Sequence, residues 1–136
     1  MDLKKILIGT IVGGIVLFLA GGLIWGMLLE PIIKNHTTQY DGIMKAPESG
    51  MPFIAISCIA SALLISLVFN RWASISTAKT GASAGAVIAI LLGVVADSMV
   101  LGQYDLIDTT VLLMNIVGNA IWGAIGGAVI GWLMGR

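Results

Sequence analysis

Gly123, Gly127, Gly131 and Gly135 stand four residues apart in one apolar stretch, and Asn115 and Asn119 precede them in the same phase. Each step of four turns an α-helix by about 400°, so the row drifts only ~40° per step and forms one shallow ridge. A ridge without side chains admits another backbone. In water such a helix is costly, because Gly gives up ~1 kcal/mol relative to Ala, whereas in lipid small residues at this spacing are a means of joining helices. The row therefore constrains the chain to membrane-helix packing before it says anything about chemistry.

Composition agrees with that reading. Of 136 residues 58% are hydrophobic and 10% charged, against about 25% charged in a soluble domain. Seven basic and seven acidic side chains cancel, which leaves no basic excess for nucleic acid. The single cysteine, Cys58, can form no intrachain disulfide and reads as a small hydrophobe within an apolar run.

A hydrocarbon core of ~30 Å needs about 20 apolar residues as helix, and four stretches meet that length: Ile6 to Leu29, Met51 to Phe69, Gly81 to Leu101 and Thr109 to Met134. The fold expected is all-α, a single domain over residues 1–136 formed by an antiparallel bundle of four transmembrane helices, with an external loop over 30–50. Lys4 and Lys5 precede a first apolar run longer than a signal peptide's, so that run reads as a retained signal anchor. Short connections predict that sequential spans are antiparallel neighbours. Lys4, Lys5, Arg71, Lys79 and Arg136 fall on one side and Lys34 and Lys45 on the other, which predicts cytoplasmic termini in a bacterial inner membrane. Trp72 and Trp132 then mark the cytoplasmic interface and Tyr40 and Tyr104 the external one, while Trp122 is mid-span and belongs inside the bundle or against lipid.

Small-residue ridges recur on every span. The third carries Gly81, Gly85, Ala89, Gly93 and then Asp97; the second carries Cys58, Ala62, Ser66 and Asn70; the first pairs Gly9 with Gly13 and Gly22 with Gly26. Gly85, Gly93, Gly123, Gly127 and Gly131 are the principal packing candidates. Gly126 adds a second small face to the last span, and a helix small on two faces can meet a symmetry mate as well as its own bundle.

Asp97 is the one ionisable side chain well inside a span. An acid at the bilayer centre costs ~2.5–3.5 kcal/mol on insertion scales, so it must face the bundle or a watery recess. Asn115 lies at a similar depth, which predicts an Asp97–Asn115 hydrogen bond with Ser98 and Asn119 as further members. One reading is a polar clamp between helices; the other is a cation or proton site at the base of an external recess. His36 falls in the external loop among Glu30, Asp41 and Glu48 without the spacing of a metal site. Residues Pro31 to Lys45 mix apolar and polar side chains as a short interfacial helix would.

No phosphate loop, paired-histidine motif, nucleophile elbow or second intramembrane acid accompanies Asp97, so no catalytic residue, cofactor or metal is expected. In size and topology the chain resembles small multidrug-resistance transporters, four-helix proteins that act as dimers. Their key residue is a glutamate within the first helix, and the first span here holds no acid before Glu30 at its end. More broadly it is similar to small four-helix bacterial membrane families with a Gly- and Trp-rich first helix, here Gly21-Gly22-Leu23-Ile24-Trp25, and a last helix ending in small residues. Neither likeness carries over a site. The expectation is an interaction or assembly protein, embedded in membrane lipid as a homo-oligomer or an accessory of other membrane subunits. The alternative is a small ion- or proton-coupled transporter or channel with a recess at Asp97, Asn115 and Asn119.

Overall fold

The computed structural model describes residues 1–136 and is helical throughout its spans. Helix α1 runs Leu3–Leu23 and continues through a π-helical turn, Ile24–Leu28; α2 is short, Glu30–Asn35. Helix α3 runs Pro47–Leu67 and ends in a second π turn, Val68–Ala73, while α4 covers Ala78–Gln103 and α5 Thr109–Met134. Four helices are long and apolar enough to cross a membrane: Leu3–Leu28, Pro47–Ala73, Ala78–Gln103 and Thr109–Met134. The chain is a four-helix membrane bundle. The second span is longer than its apolar run at both ends, because Pro47 suits a first helical turn and the terminal π turn carries the helix past Asn70 and Arg71 to a left-handed Ser74 (φ 49°).

Local chemistry starts these helices where they start. Asp2 accepts from the Lys5 N–H, Thr77 from Thr80 and Asp108 from Val111, each meeting one orphan donor of a first turn. The π turn after α1 precedes Pro31, whose ring cannot follow a regular helix without meeting the carbonyl four residues earlier. There the Leu29 N–H reaches back five residues to the Ile24 carbonyl at 2.8 Å.

Both chain ends and the 74–77 connection lie at one end of the bundle, the termini end; residues 29–46 and 104–108 lie at the other, the loop end. Helix α5 is central, with α4 along one side and α1 along another, and α3 packs mainly on α1. Leu17, Ile65, Phe69 and Ile130 are fully buried where α1, α3 and α5 meet, with Cys58, Ala62 and Met134 beside them. Two expectations are corrected by this order. Spans two and three follow each other through a short connection yet barely touch, because the glycine ridge of α4 fits the ridge of α5. The second small face of α5 is also filled within the chain: a Cβ on Gly126 would run into the Leu17 side chain, and one on Gly118 would stand 3.0 Å from Trp25 and Leu29.

The α4–α5 seam is backbone against backbone. A Cβ on Gly85 would strike the Gly123 carbonyl, one on Gly127 the Gly81 carbonyl, and one on Gly131 would lie 2.5 Å from the Thr77 carbonyl. At these three positions no side chain fits, and farther along the Cβ of Ala89 sits against Gly123. Between α1 and α3 the contact is glycine against side chain: added carbons would stand 2.7 Å from Ser66 Oγ at Gly9, 3.3 Å from Ala62 Cβ at Gly13, and 3.2 Å from Ile59 at Gly14, while Ile130 of α5 would also meet the one at Gly13, at 2.7 Å. The termini end is also tied by polar contacts. Lys5 Nζ donates to the Met134 carbonyl at 2.8 Å, where α5 ends with unpaired carbonyls, and the Asp2 N–H donates to Asn70 Oδ1 at 3.0 Å.

Candidate functional site

Asp97 and Asn115 each lie six residues from the loop end of their helices, about 9 Å at 1.5 Å per residue. The ridges that hold α4 against α5 set them facing one another, and Asn115 Nδ2 donates to Asp97 Oδ2 at 2.9 Å. The same amide accepts on its other side: Trp25 Nε1 donates to Asn115 Oδ1 at 2.9 Å. This fixes the orientation of the amide, since only the oxygen can receive the indole N–H and only the nitrogen can give to the carboxylate. Three helices are thereby joined by one chain, Trp25 to Asn115 to Asp97.

Trp25 is the member that sequence reasoning missed. It sits in the π turn of the first span, and bare Gly118 clears the space for its ring on α5. The signal was present as a glycine one turn from Asn115 on the same helix, but nothing in a single sequence says which indole fills that gap. Trp122, left open between bundle and lipid, lies inside: its Nε1 donates to the Leu17 carbonyl at 2.7 Å. Gly21, four residues on from Leu17, gives the indole access, for a Cβ there would lie 3.4 Å from Nε1. The two tryptophans meet edge to face, centroids 6.1 Å apart at 74°.

The other expected members stand outside the hydrogen-bonded chain. Ser98 is exposed on α4. Asn119 rests its amide on the bare Cα of Gly93, which explains that glycine: a Cβ would collide with the amide nitrogen. Asn119 instead contributes, with Trp25 and Trp122, to a cleft of about 780 Å³ between α1 and α3 at the loop end. Asp97 does not line that cleft.

His36 has a partner that sequence reading did not anticipate. Its Nδ1 lies 2.6 Å from Asp108 Oδ2, while the other oxygen of Asp108 caps α5 through the Val111 N–H at 3.1 Å. Thr37 bridges to Ile107, and the Thr38 N–H donates to the Leu106 carbonyl at 2.8 Å. The first half of the long loop is thus stapled to the α4–α5 connection. Desolvation pushes the Asp108 carboxyl up, but the hydrogen bonds from His36 and the Val111 N–H, with the charge of His36, outweigh it and hold the group below the ordinary carboxylate range.

No family model, curated protein or solved structure matches the chain.

Proposed function

We propose that this is an assembly or interaction protein of a bacterial inner membrane, acting as a homo-oligomer or an accessory subunit, with both termini cytoplasmic. The observation that carries the reading is α4. It is a full span with one substantial helical neighbour, and its outer face, through Ser83, Val87, Leu91, Val95 and Ser98, is exposed along its length. A rigid span displayed on one side of a bundle suits a second membrane helix. The acid that argues for transport accepts a hydrogen bond from Asn115 through Oδ2, and it does not line the cleft beside it. Both facts favour a clamp over an ion site.

The test replaces Cys58 by Ser, places single cysteines at Val87 and Leu91, and cross-links in native membranes, with Leu7→Cys on the exposed side of α1 as the comparison. The proposal expects adducts through 87 and 91, either to a second copy or to one other membrane protein, and few through 7. A monomer by mass in lipid nanodiscs together with no adduct in membranes overturns it. Cation- or proton-driven uptake abolished by Asp97→Asn, in a protein that still folds, would overturn it in favour of transport.

A further inference from the structure

Among the glycines within the spans, Gly22 and Gly26 differ from those on the packed ridges: carbons added at either would meet nothing within 4 Å. Both line the loop-end cleft, whose walls are mainly apolar and aromatic, with Phe18 and Trp122 at the inner end, Trp25 and Phe53 toward the outside, and Ser57 and Asn119 as the polar side chains among them. From Phe18 to Gly26 the cleft runs about 12 Å along α1, close to the ~15 Å hydrocarbon depth of one leaflet. A methylene takes about the ~30 Å³ of a liquid water, so a sixteen-carbon chain needs about 500 Å³, within the 780 Å³ present. The cleft therefore has the depth, the volume and the lining of an acyl-chain site that begins at a headgroup layer and ends at mid-membrane.

The mouth supplies a charge. Lys45 Nζ stands 5.0 Å from the centroid of the ring of Phe53, a residue that lines the cleft. The ion pair His36–Asp108 is the one the chain forms, so the Lys45 ammonium has no carboxylate partner there. A free cation above an apolar slot of one leaflet's depth complements an anionic headgroup above its own acyl chain. We propose that the cleft is a resident phospholipid site: one acyl chain of an anionic lipid of the loop-end leaflet fills it, with the phosphate beside Lys45. The site is separate from the outer face of α4.

Fluorescence quenching tests this. In a Trp72→Phe/Trp132→Phe background only Trp25 and Trp122, both at the cleft, remain to emit. Vesicles of phosphatidylglycerol or phosphatidylcholine, brominated at mid-chain, are compared for quenching and relative affinity. The expected result is strong quenching with about a fivefold preference for phosphatidylglycerol, the effect of one cation near an anionic surface. Gly22→Leu/Gly26→Leu should cut the quenching at least by about half with unchanged thermal stability, since both added side chains enter open space. Lys45→Glu, on the surface, should abolish the headgroup preference alone. Equal quenching with the cleft filled or open overturns the site. Equal affinity for the two lipids, unaltered by Lys45→Glu, overturns the anionic assignment. A cross-link from a cysteine at position 22 into another polypeptide overturns the lipid in favour of a protein occupant.

Discussion

The α4–α5 seam and the α1–α3 seam begin alike and end differently. Both close tightly at the termini end around glycines, Gly85 and Gly127 on one, Gly9 and Gly13 on the other. Toward the loop end the first seam stays closed through Gly93, Asn119 and the Asp97–Asn115 bond, whereas the second opens into a cleft along Gly22 and Gly26. Gly9 and Gly13, like Gly22 and Gly26, stand at the same spacing of four as the ridges of α4 and α5, so spacing does not decide contact. What decides is the opposite wall: glycine faces glycine across the closed seam, while Gly22 and Gly26 share their cleft with Met51, Phe53 and Ile54 of α3. In lipid, where association rests on close contact and not on hydrophobic burial, a smooth ridge closes where the facing wall fits it: glycine on the first seam, and the small side chains Ser66 and Ala62 against Gly9 and Gly13 on the second.

The largest expected effect breaks the closed seam. Gly127→Leu forces a side chain into the Gly81 carbonyl and should destabilise by ~3 kcal/mol or more, the upper end of overpacking, read as lost expression and a collapsed size-exclusion profile. Gly22→Leu, in the same motif, should stay within ~0.5 kcal/mol of the parent. Equal damage from the two would remove the distinction between the seams.

Next comes the clamp that keeps the first seam closed. Asn115→Leu strips partners from both Asp97 and Trp25 and should cost ~1–2 kcal/mol, two interhelical bonds at ~0.6 kcal/mol each with a ceiling near 1.7 for one. Steric trapping or reversible unfolding in bicelles measures it. Trp122→Phe keeps the ring contact with Trp25 and deletes one bond to the Leu17 carbonyl, so a loss of ~0.6 kcal/mol is expected by the same assay.

The smallest effect lies at the loop end, outside both seams. Asp108 is held below its ordinary value, so the folded state binds its proton less readily than the unfolded chain does. Its stabilising contribution is therefore complete above the unfolded carboxylate value and is lost as pH falls through the lowered folded one. Thermal stability should drop slightly over that acidic window, and the pH-dependent part should vanish in Asp108→Asn, whose amide oxygen still caps α5.

Much of this is legible in the sequence. Four spans follow from apolar length, and the ridges on α4 and α5 follow from spacing; equal depth puts Asp97 opposite Asn115. The departures have a common cause. Periodicity tells which residues share a face but not which face of another helix it meets, so it leaves Gly126 open to a symmetry mate as well as to the bundle, where Leu17 fills that place. Short connections likewise predict α3 and α4 as neighbours, because loop length limits how far apart two spans stand but not whether their faces fit. Trp25 escaped notice because its role depends on a π turn that re-aims it and on Gly118 of a helix ninety residues away. The cleft escaped because Gly22 and Gly26 obey the motif that elsewhere means contact.

The central claim is that the glycine ridges of α4 and α5 are spent on each other within one chain. Solid-state NMR in lipid bilayers tests it directly, with glycine, aspartate and asparagine labelled and the labelled protein diluted tenfold into unlabelled. Carbon–carbon contacts between Gly85 and Gly123 and between Asp97 and Asn115 should persist at full per-molecule intensity after dilution. Contacts that vanish on dilution would place the ridge between copies, and contacts absent from both samples would mean that the two helices do not meet along it.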